Sequence, residues 1–244
     1  MQFAILTSAA ALALVGSASA AMSNLQFNVT SSGAGSASWS STGTATGTAG
    51  QYQFTGDQRY VGFNAQFDLT CNDTSVLDRG LIGGSFTLTN NTASLQTFTI
   101  DVILPTVAQG TSALAGGSVS GLLTADFDGG FFSTAGTSAW SYLVRAAGSQ
   151  ADTTIASLIN SPFSVTANPF GIGVIPGQAF GTPIPGMPTI PMGDAMGIRM
   201  VFQLGAGDTV DFGTSFVLQA VPAPGAGAVL GIAAILGKGR RRRA

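Results

Sequence analysis

Asp126 and Asp128 are the side chains whose type and spacing best suit metal chemistry in this sequence. They stand two residues apart in the segment Asp-Phe-Asp-Gly-Gly, and carboxylates that share a turn are ligands for Ca²⁺. The third acid and the closing glutamate of an EF-hand loop are missing. The pair therefore predicts either a weak calcium site or an ordinary solvated turn.

The residue types exclude most catalytic chemistry. The chain has no histidine, so Ser-His-Asp sites, Cys-His sites and His-ligated metals are ruled out. The first lysine is Lys238, which excludes Ser-Lys dyads and Schiff-base lysines before the tail, and there is no P-loop. No pair of aspartates is singled out for glycoside hydrolysis. We predict a protein that is not an enzyme and has no cofactor.

Three further residue patterns bear on ligands. Cys71 is the single cysteine and has no histidine to activate it, so we expect a small buried hydrophobe in a strand. Asn28, Asn72 and Asn90 begin Asn-x-Thr triplets, which arise by chance in a chain rich in Asn and Thr. Residues 21–223 hold four arginines and eleven aspartates, and such an acidic domain repels nucleic acid.

Aromatic side chains could stack on sugar rings if one face of the protein exposed them. The candidates are Trp39, Tyr52, Tyr60, Trp140 and Tyr142. A sheet face that carried them would make the chain a carbohydrate-binding module.

The first twenty residues have the pattern of an export signal. An apolar stretch from Phe3 to Val15 leads into small residues, and Ala18-Ser19-Ala20 fits the small-x-small pattern that signal peptidase accepts. We predict a signal peptide over 1–20, helical in the membrane, with cleavage after Ala20. The alternative is a buried N-terminal helix.

The C-terminal residues form a three-part tail. Val221-Pro222-Ala223-Pro224-Gly225 is followed by an uncharged apolar run to Gly237 and then by the basic residues Lys238, Arg240, Arg241, Arg242 and Arg243. As a helix the apolar run would be about 20 Å long, shorter than the bilayer core of roughly 30 Å. The arginines would stop transfer and stay on the cytoplasmic side. This pattern favours a transient pause in the membrane before cleavage, and a plain tail anchor is the alternative.

The tail resembles the sorting signal of the PEP-CTERM family. Val221, Pro222, Pro224 and Gly225 match the family motif, Ala223 replaces its usual glutamate, and Arg240 to Arg243 match the basic end. The resemblance implies processing by an exosortase-like membrane peptidase and delivery to the surface or matrix of a Gram-negative-type bacterium. Thr87 to Asn90 and Gly207 to Phe212 also resemble strand patterns of sandwich domains in that family.

The central region predicts an all-β fold. Apolar residues alternate with polar ones over 98–104 and 198–204, the period of half-buried strands. We expect hairpins that turn at Asn90-Asn91 and at 205–208. The pattern favours a two-sheet antiparallel β-sandwich of about nine strands, jelly-roll-like in topology.

The predicted domain organisation has four parts. The signal peptide is followed by a low-complexity Ser/Thr/Gly segment or edge strand over 21–50, the sandwich over 51–220, and the tail over 221–244 with its short apolar helix. Within the sandwich, 152–160 gives the only helical hint. The proline-rich segment 168–193 predicts a long loop that docks on the sandwich or on a partner.

These features favour an exported, non-enzymatic protein of the cell surface or extracellular matrix with a structural or adhesive role. Its expected partners are signal peptidase, an exosortase-like peptidase, the membrane during transit, and extracellular polysaccharide. The alternatives are a carbohydrate-binding module of the envelope and a calcium-stabilised adhesive module.

Overall fold

The computed structural model describes residues 24–110 and 112–221, and all of its regular elements are β-strands. They are β1 (Leu25–Ser31), β2 (Gly35–Ser41), β3 (Thr44–Ala45), β4 (Gln51–Arg59), β5 (Phe63–Asn72), β6 (Arg79–Asn90), β7 (Gln96–Pro105), β8 (Ser112–Thr124), β9 (Gly130–Thr134), β10 (Ser138–Arg145), β11 (Asp152–Asn160), β12 (Ser164–Ala167), β13 (Ile172–Phe180), β14 (Met187–Thr189), β15 (Ala195–Leu204) and β16 (Thr209–Val221).

The strands form two antiparallel sheets of eight strands each. Sheet A has the order β11-β10-β15-β7-β1-β2, with β9 and β12 attached beside β15, and sheet B has the order β13-β8-β16-β6-β5-β4-β3, with β14 attached to β8. The predicted all-β, two-sheet antiparallel sandwich is confirmed. The expected number of about nine strands is too low, because short strands such as β3, β9 and β14 carry no alternation long enough to read from sequence.

The core lies between the sheets and is rich in phenylalanine. In β7, Phe98, Ile100, Val102 and Leu104 are all buried, and Thr99 and Asp101 between them are more exposed. Ile103 is buried in a separate small cluster with Leu143 and Ala195. The large side chains with less than 2% exposure include Phe27, Phe54, Phe63, Phe86, Phe98, Phe132, Phe202, Phe212 and Phe216. Burial of side chains of this size contributes roughly 1.5–3 kcal/mol each, so the aromatic layer holds the sheets together.

Both predicted hairpins are wrong in their pairing, although their strands exist. β6 belongs to sheet B and β7 to sheet A, and β15 and β16 are likewise divided between the sheets. Residues 91–95 and 205–208 therefore cross from one sheet to the other. A crossing and a hairpin need the same turn residues and the same alternation, so the sequence does not distinguish them.

The helix suggested over 152–160 is also wrong. This segment is β11, which pairs with β10 at one end of sheet A. Thr153, Thr154 and Ile155 are β-branched and favour a strand, and this preference outweighs the capping potential of Asp152.

The proline-rich segment is not a loop throughout. It contains β13 and β14, both of which pair with β8. Pro176 lies in β13, the end strand of sheet B, at a shift in register between Ile175 and Gln178, which is where a strand tolerates proline. Of its apolar side chains, Ile175 and Met192 are buried, whereas Phe170 and Ile172 are exposed.

The segment predicted as low-complexity or edge contains three strands. β1 begins at Leu25 and pairs on both sides, with β2 and with β7. Leu25, Phe27 and Val29 are fully buried, so β1 is part of the core. β2 and β3 are the end strands of sheets A and B.

Candidate functional site

Leu25 and Val221 lie at the same end of the sandwich, which we call the tail pole. Gln26 is opposite Ile103 near the end of β7, and Val221 is opposite Ser112 at the start of β8. The connection from β7 to β8 joins these two places. Both termini of the described region therefore leave from one pole.

The tail continues from a strand in the interior of sheet B. β16 pairs with β8 along its whole length, from Thr209 to Val221, and with β6 from Thr209 to Gln219. At its end, the Ala220 N–H also donates to the Asp78 carbonyl at 3.0 Å. A strand bonded on both sides resists being pulled from its end, because many hydrogen bonds must break together.

Most of the predicted targeting residues lie outside the described residues. Val221 is the last residue of β16. The two predicted terminal helices and three groups of predicted residues fall outside the described ranges. These groups are the rest of the sorting motif (Pro222, Ala223, Pro224, Gly225), the basic residues (Lys238, Arg240, Arg241, Arg242, Arg243) and the cleavage residues (Ala18, Ala20). Within the described ranges, no helix is long and apolar enough to cross a bilayer.

The opposite end of the sandwich carries Asn90, Asp126, Asp128 and Asp208, and we call it the acidic pole. Four crossings between the sheets meet there. We call residues 91–95, 125–129 and 205–208 the first, second and third crossings. The fourth, residues 168–171, lies beside the second, where the Phe170 N–H donates to the Asp126 carbonyl at 2.7 Å. Asn90 and Asp208 are both fully buried. A buried polar group must be hydrogen-bonded to be tolerated, and both residues are.

Asn90 joins the first crossing to the third. Its Nδ2 donates to the carbonyl oxygens of Leu204 and Gly205 at 3.1 and 2.8 Å. Its Oδ1 accepts the N–H and the hydroxyl of Thr92 at 3.0 and 2.8 Å. The Asn90 side chain therefore fixes both its own loop and the turn before β16.

Asp208 joins the third crossing to the second. Its Oδ2 accepts the N–H of Phe131 at 2.9 Å, and its Oδ1 accepts the N–H of Asp126 at 3.3 Å. Burial raises the pKa of Asp208 above its usual value, and the two N–H donors oppose that rise. Asn90 and Asp208 together hold the first, second and third crossings in one polar cluster.

Asp126 and Asp128, the predicted calcium pair, lie beside this cluster. The Asp128 N–H donates to Asp126 Oδ1 at 3.1 Å. The pKa of Asp128 is raised, first by a side-chain hydrogen bond with Asp126 and further by the negative charges of Asp126 and Asp208. Across the described residues, no group of three acidic, His or Cys side chains is placed to hold a metal ion.

A shallow cavity of about 390 Å³ opens at the acidic pole and is lined by residues of the first, second and third crossings. Asn91, Thr92, Asp126 and Asp128 line it with polar groups. Phe127 also lines it and is 71% exposed. The cavity offers carboxylates, a hydroxyl and an amide.

The aromatic residues do not form an exposed sugar-stacking face. Trp140 and Tyr142 are fully buried, and the Tyr142 hydroxyl donates to the Ser118 carbonyl at 2.8 Å. Trp39, Tyr52 and Tyr60 are half-buried and pack against the core. This corrects the expectation that all five could stack on sugars. The strands place Trp39, Tyr52, Trp140 and Tyr142 toward the core, and Tyr60, just after β4, packs against the core as well.

The outer face of sheet B carries a polar trench. Two adjoining depressions of about 500 and 360 Å³ share Ser85. The larger is lined by Thr55, Gly56, Asp57, Gln66, Phe67, Asp68, Ser85 and Thr87, and the smaller includes Leu122, Val174, Asp211 and Gly213. The lining residues offer hydroxyls, carboxylates and an amide, and the smaller depression also has apolar lining.

Two other sequence expectations concern buried residues. Cys71 is fully buried in β5, as predicted, and burial raises the pKa of its thiol. Asn72 and Asn90 are also buried, so neither side chain is open to glycosylation, whereas Asn28 is exposed on β1.

Comparison with known proteins adds little to this picture. No protein-family model matches the chain, and no curated protein matches it. Seventeen solved chains match, among them one titled "Structure of infectious bursal disease virus Gx strain", with 10% identity and a TM-score of 0.22, and one titled "Structure of infectious bursal disease virus Gt strain", with 12% identity and a TM-score of 0.14. Both alignments cover 82% of this chain and 58% of the viral chain. TM-scores this low support no argument about fold or function.

Sequence reasoning missed Asn90 and Asp208 as a joint feature. The sequence places both residues at turns, since Asn and Asp favour turns for local reasons, but it does not indicate that they belong to one cluster. Their contacts reach from residue 90 to 205 and from 126 to 208, and no local pattern reports such distant partners.

Proposed function

We propose that this chain is an exported, non-enzymatic protein of the bacterial cell surface or extracellular matrix, with a structural or adhesive role. Its tail, which resembles a PEP-CTERM signal, directs the sorting. The observation that carries the proposal is the common exit of both termini at the tail pole. Two membrane-inserting segments that leave from one pole can sit in the same bilayer without strain on the domain.

In this scheme signal peptidase cuts after Ala20 and the domain folds outside the inner membrane. The apolar run to Gly237 holds the chain in the bilayer while Arg240 to Arg243 stay on the cytoplasmic side. An exosortase-like peptidase then cuts within 221–225. The acidic pole points away from the membrane throughout.

A jelly-roll arrangement of the strands is part of the proposal. From β6 to β9 consecutive strands alternate between the sheets: β6 and β8 belong to sheet B, and β7 and β9 belong to sheet A. Alternation of this kind is typical of jelly rolls.

Cell fractionation tests the proposal. The full chain is compared with a chain that ends at Val221 and with a variant in which Arg240 to Arg243 are replaced by glutamine. We expect the full chain on the cell surface or in the matrix, the truncated chain free in the periplasm, and the glutamine variant depleted from the surface. Equal distribution of all three would overturn the proposal.

The second candidate function is carbohydrate binding through the polar trench on sheet B. The trench favours it because hydroxyls, carboxylates and an amide recognise sugar hydroxyls by hydrogen bonding, and Leu122 and Val174 add exposed apolar surface. It differs from the aromatic site that the sequence suggested.

Calorimetric titration of the full chain with the host's own exopolysaccharide tests this function. Ser85→Trp should abolish binding, because Ser85 is exposed and shared by the two depressions. Ser157→Trp, at an exposed position of β11, should leave binding unchanged. Absence of heat with the unmodified chain would rule out this function.

A further inference from the structure

The outer edge of β2 is open to further strand pairing. β2 pairs with β1 through seven consecutive residues, Gly35 to Ser41, without a shift in register. No other described strand pairs with its outer edge. Backbone N–H and C=O groups that lack partners along such an edge can accept another strand.

β2 also lacks the features that normally prevent such pairing. Its residues are Gly-Ser-Ala-Ser-Trp-Ser-Ser, and the first charged side chain of the whole sequence is Asp57. Ser36, Ser38 and Ser40 are exposed, small and neutral. Edge strands are usually protected by a charge, a proline or a bulge, and β2 has none of these.

The other described edges are either protected or short. β13 contains Pro176 and a shift in register. β11 pairs with β10 through a shift in register, and its Ile159 N–H donates to the Gln178 side chain at 2.7 Å. β3 has only two residues, and β4 beyond it carries Asp57 and Arg59. The edge strands β12 and β14 have four and three residues. Among the described strands of five residues or more, β2 is therefore the one with a long and unprotected open edge.

Packing against the core already fixes β2 in the extended conformation that strand pairing requires. The Trp39 ring stacks on Phe27 of β1, with centroids 5.2 Å apart and an interplanar angle of 7°. This contact fixes the strand against the core. A strand already fixed in its extended conformation loses less entropy when another strand is added.

We propose that β2 is an interaction surface for a second copy of this chain, whose own β2 adds antiparallel about a twofold axis at Ser38. Two identical antiparallel strands are complementary to each other by symmetry. Ser38 of each copy then faces Ser38 of the other, and Ser36 faces Ser40. The two A sheets become one continuous sheet.

Along the row of residues that passes through Ser38, the first charged side chain is Asp101 of β7. Asp101 lies on the same row as Asn28 and Ser38, and Arg199 forms an ion pair with it at 2.6 Å. Five strand spacings, about 24 Å, would separate the two copies of Asp101. That distance exceeds the Debye length of roughly 8 Å at physiological salt.

The contact should be weak in dilute solution. Two seven-residue edges bury less than the roughly 1,200 Å² of a stable interface, so pairing needs a high local concentration. The inference goes beyond the proposed function and does not depend on it, because a chain that is never sorted still has the same edge.

Disulfide trapping in the full chain tests the contact. Ser38→Cys should form a disulfide-linked dimer under mild oxidation, because side chains directly opposite have Cβ atoms about 5 Å apart, close to disulfide geometry. Cys71 is buried and does not compete. Ser157→Cys, exposed on the opposite end strand of the same sheet, is the matched control and should remain monomeric.

A second pair of variants tests the register. When copies that carry Ser36→Cys are mixed with differently tagged copies that carry Ser40→Cys, mixed dimers should exceed the dimers that either variant forms alone. Tryptophan fluorescence verifies that each variant is folded. Any of three results would overturn the proposal. Ser38→Cys could form no disulfide-linked dimer, Ser157→Cys could form as much dimer as Ser38→Cys, or the mixed pair of Ser36→Cys and Ser40→Cys could form no more dimer than either variant alone.

Discussion

Asn90 and Asp208 are joined backbone to backbone at the acidic pole. The Asn90 N–H donates to the Asp208 carbonyl at 2.9 Å, and the Gly207 N–H donates to the Asn90 carbonyl at 2.9 Å. These backbone bonds connect the end of β6 to the start of β16. The Asn90 side chain adds bonds to Thr92, and the Asp208 side chain adds bonds to Asp126 and Phe131. The sandwich is therefore closed at this pole by polar contacts as well as by its aromatic core.

Asn90→Ala should destabilise the fold far more than Asn91→Ala. The substitution leaves the buried Leu204 carbonyl and the Gly205 carbonyl without their side-chain donor, which costs roughly 2–4 kcal/mol of unfolding free energy. Asn91 is exposed, and its loss should cost less than about 1 kcal/mol. Urea denaturation of both variants measures the difference, and equal midpoints would contradict the role of Asn90.

Gly207→Ala should cost more stability than Gly148→Ala. The two glycines have nearly the same positive φ, 71° and 72°, so alanine meets the same backbone strain of roughly 1–2 kcal/mol at either site. A Cβ at Gly207 would also collide with the Asp126 carboxylate, whereas nothing lies within 4 Å at Gly148. Thermal denaturation of the two variants gives the difference in their stability loss, which measures the cost of the collision with Asp126. Equal losses would show that the Asp126 contact is unimportant.

The acidic pole should make stability fall as pH rises. The raised pKa values of Asp128 and Asp208 mean that the folded chain holds more protons than the unfolded chain between the ordinary and the raised pKa. Stability therefore decreases as pH rises through that window. Asp126→Asn should reduce this slope in a series of urea denaturations, because it removes the negative charge of Asp126 that contributes to the raised pKa of both Asp128 and Asp208.

Asp57 provides the control of opposite sign for that series. Its pKa is lowered, chiefly by the hydrogen bond from Arg59, so its contribution is present above the ordinary pKa and is lost as pH falls. Asp57→Asn should therefore remove a contribution that makes the unfolding free energy rise with pH. If Asp126→Asn and Asp57→Asn changed the pH dependence of stability in the same direction, the opposite pKa shifts at these two sites would be contradicted.

Cys71 should resist alkylation as long as the domain is folded. Its side chain is fully buried, and the raised thiol pKa lowers the thiolate population that reacts. Iodoacetamide should modify it only through unfolding, and quickly in concentrated urea. Mass spectrometry measures the rate of modification. Rapid modification of the native protein would show that β5 is not packed as described.

The sequence predicts the strands better than it predicts their partners. The alternation over 98–104 and 198–204 fixes which side chains of β7 and β15 face the core, because burial acts at the period of a strand. It does not determine that β6 and β7 lie in different sheets. Likewise Asp126 stands out locally as part of a motif, whereas its bond to Asp208 depends on the crossings that the fold brings together.

The most direct test of the central claim is mass spectrometry of both termini of the protein recovered from its host, with the cell fraction recorded. Delivery to the surface through a cleaved tail predicts a chain that begins at Ala21, ends within 221–225 and is found outside the inner membrane. A soluble chain inside the cell that still carries Arg240 to Arg243 would contradict the account.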